Sequence, residues 1–368
     1  MYSQNDLDEA VAAGALSADS AAALRGFVET QRALPGVDEE HFRLITGFND
    51  IFVAIASAIL LFAVGWIGQA IGQSMGLIIE GDGPSPLAPL AIAATAWGLA
   101  LFFTARRRMA LPSIMLLLAF VGGVFAATGF ALVLAVGEPP ADQQALIAGI
   151  VGSVSGAVAT GAAWLHWRRF KVPITIAAGA AAVAAIAVGI LVALLGNIEN
   201  YERPILGFLL LLGIGVFLFA MRWDSSDPAR VTRRSDVAFW LHLLAAPMIV
   251  HPVFTLLGLN DGTATIGEGL VVIALYVALG LTALAIDRRA LLVSALAYVL
   301  FALSELFKQV GAVELSIALT ALIIGSALLL LSAFWHQARS MVVHRLPAGL
   351  RTHLPNLDRV AAIPAPAA

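Results

Sequence analysis

The chain has 368 residues, 60% of them apolar and 12% charged, with a formal net charge of −3 and a mean hydropathy of +0.91. Water-soluble domains sit nearer half apolar and a quarter charged, so a soluble fold of this length would have nowhere to bury its hydrophobic surface. The absence of cysteine excludes disulfides, thiolate metal sites and a cysteine nucleophile.

The first 49 residues are polar, and that order does not fit a cleaved signal peptide, which needs a basic start and an early apolar core. LDEAVAAGALSADSAAALRGFVETQ reads as two short helices, with Gly14 closing the first and Ser17 capping the second. The module carries nine Asp/Glu, counting Asp50, against three Arg. It is expected to be a small acidic cytoplasmic hairpin (1–49), able to dock a cytoplasmic partner. From Asp38, DEEHFRLITGFND leads into the first apolar run as one helix.

A helix needs roughly 20 apolar residues to cross a hydrocarbon core of about 30 Å. Ten runs qualify: 51–72, 87–104, 111–136, 145–166, 173–195, 204–222, 237–258, 266–286, 290–307 and 313–335. The expected fold is an all-α polytopic transmembrane bundle over 50–336, with ten spans and the lipid bilayer as its solvent.

With the N-terminus placed inside, the inner segments hold 19 of the 21 Lys and Arg, and only Arg203 and Lys308 fall outside. A miscounted span would invert everything after it, so the asymmetry supports ten spans and two cytoplasmic termini. Trp164, Trp167, Trp223, Trp240 and Trp335 fall near the same ends, as an interfacial belt requires.

Spans four and five are rich in small residues, and Gly152 and Gly156 have the GxxxG spacing that lets helix backbones approach. Span seven contains FWLHLLAAPMIVHPVF, with His242, His251, Pro247 and Pro252 inside an apolar run. Each interior proline removes a helical hydrogen bond, and Pro252 biases His251 away from helical geometry. Span seven is therefore expected to be kinked or broken, with its irregular part facing protein.

His242 and His251, nine residues apart, would lie on opposite sides of a straight helix, which rules out a shared metal site. Other ionisable groups gather toward the outer side: Glu268, Glu305, Lys308 and Glu314. Intramembrane charge is costly and marks candidate function. His251 with Glu305 is the expected proton-handling pair, since histidine titrates near neutral pH.

The tail RLPAGLRTHLPNL sets Leu346, Leu350, Leu354 and Leu357 at helical spacing, with Pro347 suited to a helix start and Pro355 to its stop. It reads as a basic amphipathic helix on the inner leaflet, within a cytoplasmic tail (337–368) that ends in low-complexity AAIPAPAA. GQSMG (72–76) matches the G-x-S-x-G letters but closes a membrane helix, where no nucleophile elbow can form. No motif for catalysis, a cofactor, a metal or nucleic-acid binding stands in a credible context.

Three stretches together, LDEAVAAGALSADSAAAL, HFRLITGFNDIFV and DVAFWLHLLAAPMIVHPVF, resemble uncharacterised bacterial inner-membrane proteins that carry a domain of unknown function. The resemblance implies a bacterial inner membrane and carries over no functional residue. The ten-span plan is also similar to that of drug/metabolite transporters, a topological likeness that does not fix function. The functional expectation is a non-enzymatic transporter of a small solute or ion, coupled to protons through a pathway along span seven. The alternative is a sensor or scaffold whose N-terminal module binds a cytoplasmic partner.

Overall fold

The computed structural model describes residues 11–24, 48–196, 202–227, 232–258, 266–289 and 315–351. It also describes 291, 292, 296, 299, 300, 303, 304, 307, 308 and 354. The chain divides into two compact units, Arg43–Pro355 and a second formed by Met1–Phe42 with Asn356–Ala368. In the second, Gly14 adopts φ +69° and its amide donates to the Val11 carbonyl. Ser17 Oγ accepts the Ser20 amide at 3.1 Å, opening the following helical turn.

Among its described residues the first unit consists of helices joined by turns and short connectors, with no strand. Its helices are α1 (Phe48–Ser74), α2 (Leu87–Phe103), α3 (Ala110–Val136), α4 (Gln144–Phe170), α5 (Ile174–Leu195), α6 (Glu202–Ser225), α7 (Arg233–Leu256), α8 (Ile266–Ile286), α9 (Ser316–Ala333), α10 (Trp335–His344) and α11 (Ala348–Arg351). Among the described residues, eight helices are long and apolar enough to cross a membrane, and α2, at 17 residues, is a shorter apolar helix. The protein is a multi-pass membrane protein. Expected span nine lies largely outside the described residues.

Consecutive helices pack antiparallel where small residues let them meet. A Cβ at Gly68 would lie 2.7 Å from the Leu87 carbonyl oxygen, so α1 and α2 touch at backbone distance. Gln69 pins their connector by donating to the Gly83 carbonyl and accepting the Ser85 amide. Between α4 and α5 the closest approach is at Gly149, Gly156 and Gly189. Ser153 Oγ bridges it by donating to the Gly149 carbonyl at 2.8 Å and the Ile186 carbonyl at 3.2 Å. Gly152, the other half of the expected GxxxG pair, faces the same seam less tightly: its Cβ would be in ordinary contact, 3.9 Å from Gly189 Cα. The seam follows the i, i+7 positions 149 and 156, because seven residues make nearly two full turns.

Helix ends differ at the two ends of the bundle. α3 and α5 close on Gly137 and Gly196 with positive φ, whereas α4 and α8 close on Lys171 and Asp287, at φ 56° and 57°. The left-handed turn costs a side chain roughly 1–2 kcal/mol. A cation such as Lys171 offsets part of that cost against the negative end of the helix dipole.

Helix α7 is the hub. Buried residues make up 56% of its most apolar window, against at most 33% in any other candidate span. Val237 and Leu241 pack with Ala177 of α5 and Ala220 of α6. Ala246 packs with Ala283 and Leu284 of α8, and Val250 and Phe254 pack with Val272.

The expected break in this helix does not occur, because α7 runs unbroken through Pro247 and Pro252. In lipid, unwinding would orphan more backbone groups than two prolines do, and the buried neighbours Met248, Val250 and Phe254 hold the helix in register. Pro247 is exposed and Pro252 buried.

The last expected span ends two residues early. Phe334 leaves helical geometry (φ −111°, ψ 24°), and α10 restarts at Trp335. Trp335, Arg339 and Val343 form the buried stripe of α10, and Trp335 packs with the end of α8. The amphipathic helix thus precedes the expected 346–357 segment, where the described helix is only α11. Of that tail, residues 352, 353 and 355–368 lie outside the described residues.

Candidate functional site

Where α6, α7 and the end of α8 meet, four polar side chains are sealed from solvent. They are Asp224 (1% exposed), His242 (0%), Arg288 (2%) and Ser235 (8%). Each is delivered by local structure. Asp224 is the penultimate residue of α6. The connector behind it is folded by Asp227, whose Oδ2 accepts the Thr232 amide at 2.9 Å and the Thr232 hydroxyl at 2.7 Å. Thr232 in turn caps α7 by accepting the Arg234 amide, which places Ser235 and His242 on the buried face.

Arg288 reaches the site through the turn that ends α8. Asp287 sits in left-handed geometry, and the amides of Asp287 and Arg288 donate back to the carbonyls of Leu284 and Ala283. This paired pattern is the Schellman motif, with aspartate where glycine is usual. It directs Arg288 back against the bundle.

The contacts form a fork. Arg288 Nη2 donates to Asp224 Oδ1 at 2.5 Å and Nε donates to Oδ2 at 3.3 Å. Nη2 also donates to the Ser235 carbonyl at 3.1 Å and lies 3.3 Å from its hydroxyl. His242 Nε2 lies 3.0 Å from Asp224 Oδ2, and the Phe217 ring meets the imidazole edge-on at 5.2 Å. Bidentate pairing of this kind fixes geometry as well as charge. Removing one partner of a buried pair leaves the other charge uncompensated, at about 3–5 kcal/mol. The cluster therefore holds three helix ends together, with a titratable ring as its fourth member.

A second node closes the same end. Trp335 Nε1 donates to Asp287 Oδ1 at 2.8 Å, Arg339 Nε lies 3.8 Å from that oxygen, and Arg289 stacks over Trp335 at 4.7 Å. A third buried ring is His166 of α4. Its Nδ1 lies 3.2 Å from Thr175 Oγ1, and it is enclosed by Trp97, Phe120 and Phe170.

Of the residues singled out by sequence, His242 is central. His251 lies on the exposed face of α7, as does Pro247, and Lys308 is exposed. Glu305, Glu314 and the side chain of Glu268 lie outside the described residues. Sequence reasoning passed over Asp224, Ser235, Arg288 and His166. The usable signal was depth: MRWDSSD, FWLH and DRR all fall at the same end of their spans, so an Asp, a His and an Arg arrive at one level.

No family model, curated protein or solved structure matches this chain. The functional reading therefore rests on the geometry of the cluster.

Proposed function

We propose that the protein is a proton-linked transporter of a small solute or ion in a bacterial inner membrane. In this reading its arginine-rich end and both termini face the cytoplasm, and the Asp224–His242–Arg288 cluster is the gate on that side. One observation carries the proposal: a fully buried acid–base–histidine set joins three helix ends inside a bundle whose solvent is lipid. Ionisable groups at such sites are costly to bury and mark ion or proton pathways. Histidine is the side chain that changes charge near neutral pH. A change of charge on His242 alters the balance around Asp224 and with it the hold on α6 and α8.

The proposed pathway follows the α7 face that carries His242. The groups expected toward the outer side, Glu268, Glu305, Lys308 and Glu314, are the corresponding outer candidates, whereas His251 lies on the exposed face of α7, off this pathway. The test is substrate-driven proton movement in proteoliposomes containing a trapped pH-sensitive dye, across a panel of small ions and solutes. Wild type should couple solute and proton movement, and His242→Gln should uncouple them. Equal coupled flux in wild type and in a His242→Gln, Asp224→Asn protein would refute the gate.

A further inference from the structure

Two connectors at the arginine-rich end differ from the rest of that end. TARRRM (104–109) joins α2 to α3, and WRRFKVP (167–173) takes in the last turn of α4 and its connector to α5. Together they carry Arg106, Arg107, Arg108, Arg168, Arg169 and Lys171, and neither contains a carboxylate. All six cations are exposed. The neighbouring helix ends do contain acid: Asp224 lies in the last turn of α6 and Asp227 just after it, and Asp287 closes α8.

The two connectors share one aromatic support. Arg169 stacks over Phe170 at 5.6 Å, and Phe170 packs on Trp97 of α2 at 5.1 Å. Phe103 and Phe170 both lie against the cluster of Leu61, Ala96, Ala100 and Leu116. The helices that start from these connectors, α3 and α5, have no side-chain cap and no acidic residue in their first turns. By contrast α7, starting at the same end, has the Thr232 cap and Asp236 in its first turn. Two uncapped positive helix ends thus reinforce the six cations.

The surface beside the cations is apolar and open. Trp164 is 58% exposed, Leu165 47% and Phe102 42%. Arg168 stacks over Trp164 at 4.9 Å and Arg107 over Phe102 at 5.5 Å. A cationic shelf set on an apolar wall fits a molecule with a negative head and hydrocarbon tails, and a free anion would use only the shelf.

We infer that the 104–109 and 167–173 connectors form a binding site for an anionic phospholipid. Its phosphate lies among the six cations and its acyl chains lie along Phe102, Trp164 and Leu165. Basic clusters bordering a membrane gain about 1 kcal/mol per Lys or Arg from anionic lipid, which is about fivefold in affinity.

The experiment uses the full-length protein in neutral detergent. It reads retained lipid by native mass spectrometry and thermal stabilisation on adding phosphatidylglycerol, phosphatidylcholine or inorganic phosphate. Wild type should retain phosphatidylglycerol in preference to phosphatidylcholine and be stabilised by it more than by inorganic phosphate. The triple variants R106Q/R107Q/R108Q and R168Q/R169Q/K171Q should each lose on the order of a hundredfold in phosphatidylglycerol affinity. R233Q/R234Q, at the start of α7, should keep it. Equal retention by wild type and either triple variant would overturn the site, as would equal retention of the two lipids. Equal stabilisation by inorganic phosphate would overturn the lipid assignment in favour of a free anion. Should the glutamine variants fail to fold, a salt titration of wild type decides: phosphatidylglycerol retention that ignores ionic strength contradicts the site.

Discussion

Nε2 of His242 lies 3.0 Å from the Asp224 carboxylate across 18 residues of sequence, and Arg288, 64 residues further along from Asp224, grips the same carboxylate. One aspartate therefore connects α6, α7 and the end of α8. The first prediction follows. Asp224→Asn should lower the stability of the detergent-solubilised protein by about 3–5 kcal/mol, because Arg288 loses its buried counter-charge. Asp224→Asn with Arg288→Gln should cost less than the sum of the singles. Thermal unfolding of the four proteins in the cycle measures the coupling directly.

His242→Gln keeps a hydrogen-bonding side chain beside Asp224 and removes the titration. The protein should stay folded, and the proton-linked flux proposed above should lose its dependence on pH. His251→Ala, on the exposed face of α7, should leave that pH profile in place. Rates measured in proteoliposomes at matched inner and outer pH separate the two histidines.

The α4–α5 seam makes a sharp steric prediction. A Cβ at Gly149 would lie 2.4 Å from both Ala193 N and Gly189 O, and no flexible side-chain end is available to move. Gly149→Ala should destabilise by about 1–3 kcal/mol through overpacking. At Gly152 the nearest atom is 3.9 Å away. There Gly152→Ala should be neutral or stabilising by up to about 1 kcal/mol, because alanine is the better helix former. Melting temperatures of the two single variants decide it.

Trp335 tests the second node. Trp335→Phe preserves the aromatic packing on α8 but removes the Nε1 donor to Asp287. A hydrogen bond to a charged group contributes about 1.5–3 kcal/mol, so a loss in that range is expected. Protease sensitivity near α10 should rise in parallel.

Much of this architecture was legible because lipid imposes simple rules. Apolar length alone placed α1 to α8 within a few residues, and Arg and Lys marked the end where Asp224, His242 and Arg288 converge. The break expected at the prolines of α7 does not occur, because their local cost was weighed without the larger cost of unwinding a helix in lipid. The GxxxG letters at Gly152 and Gly156 pointed to the right seam, but its tightest contacts fall at Gly149 and Gly156, a seven-residue spacing. Asp224 and Arg288 escaped notice for a different reason: each sits in a connector-like string of polar residues, and only the turn at Asp287 turns Arg288 inward. His166 carries no pattern of its own, and its burial depends on rings from α2, α3 and the end of α4.

The proposed gate can be tested without identifying a solute. The chain has no cysteine, so Ala246→Cys introduces a single thiol on fully buried α7 surface against α8, one turn beyond His242. Its reaction with a membrane-impermeant maleimide, applied from the arginine-rich side, reports whether the packing beside the cluster opens. The thiol should be protected in the wild-type background and react faster when Asp224→Asn is added, with helical content retained. Reaction at the same rate in both backgrounds would contradict a gate built on Asp224, His242 and Arg288.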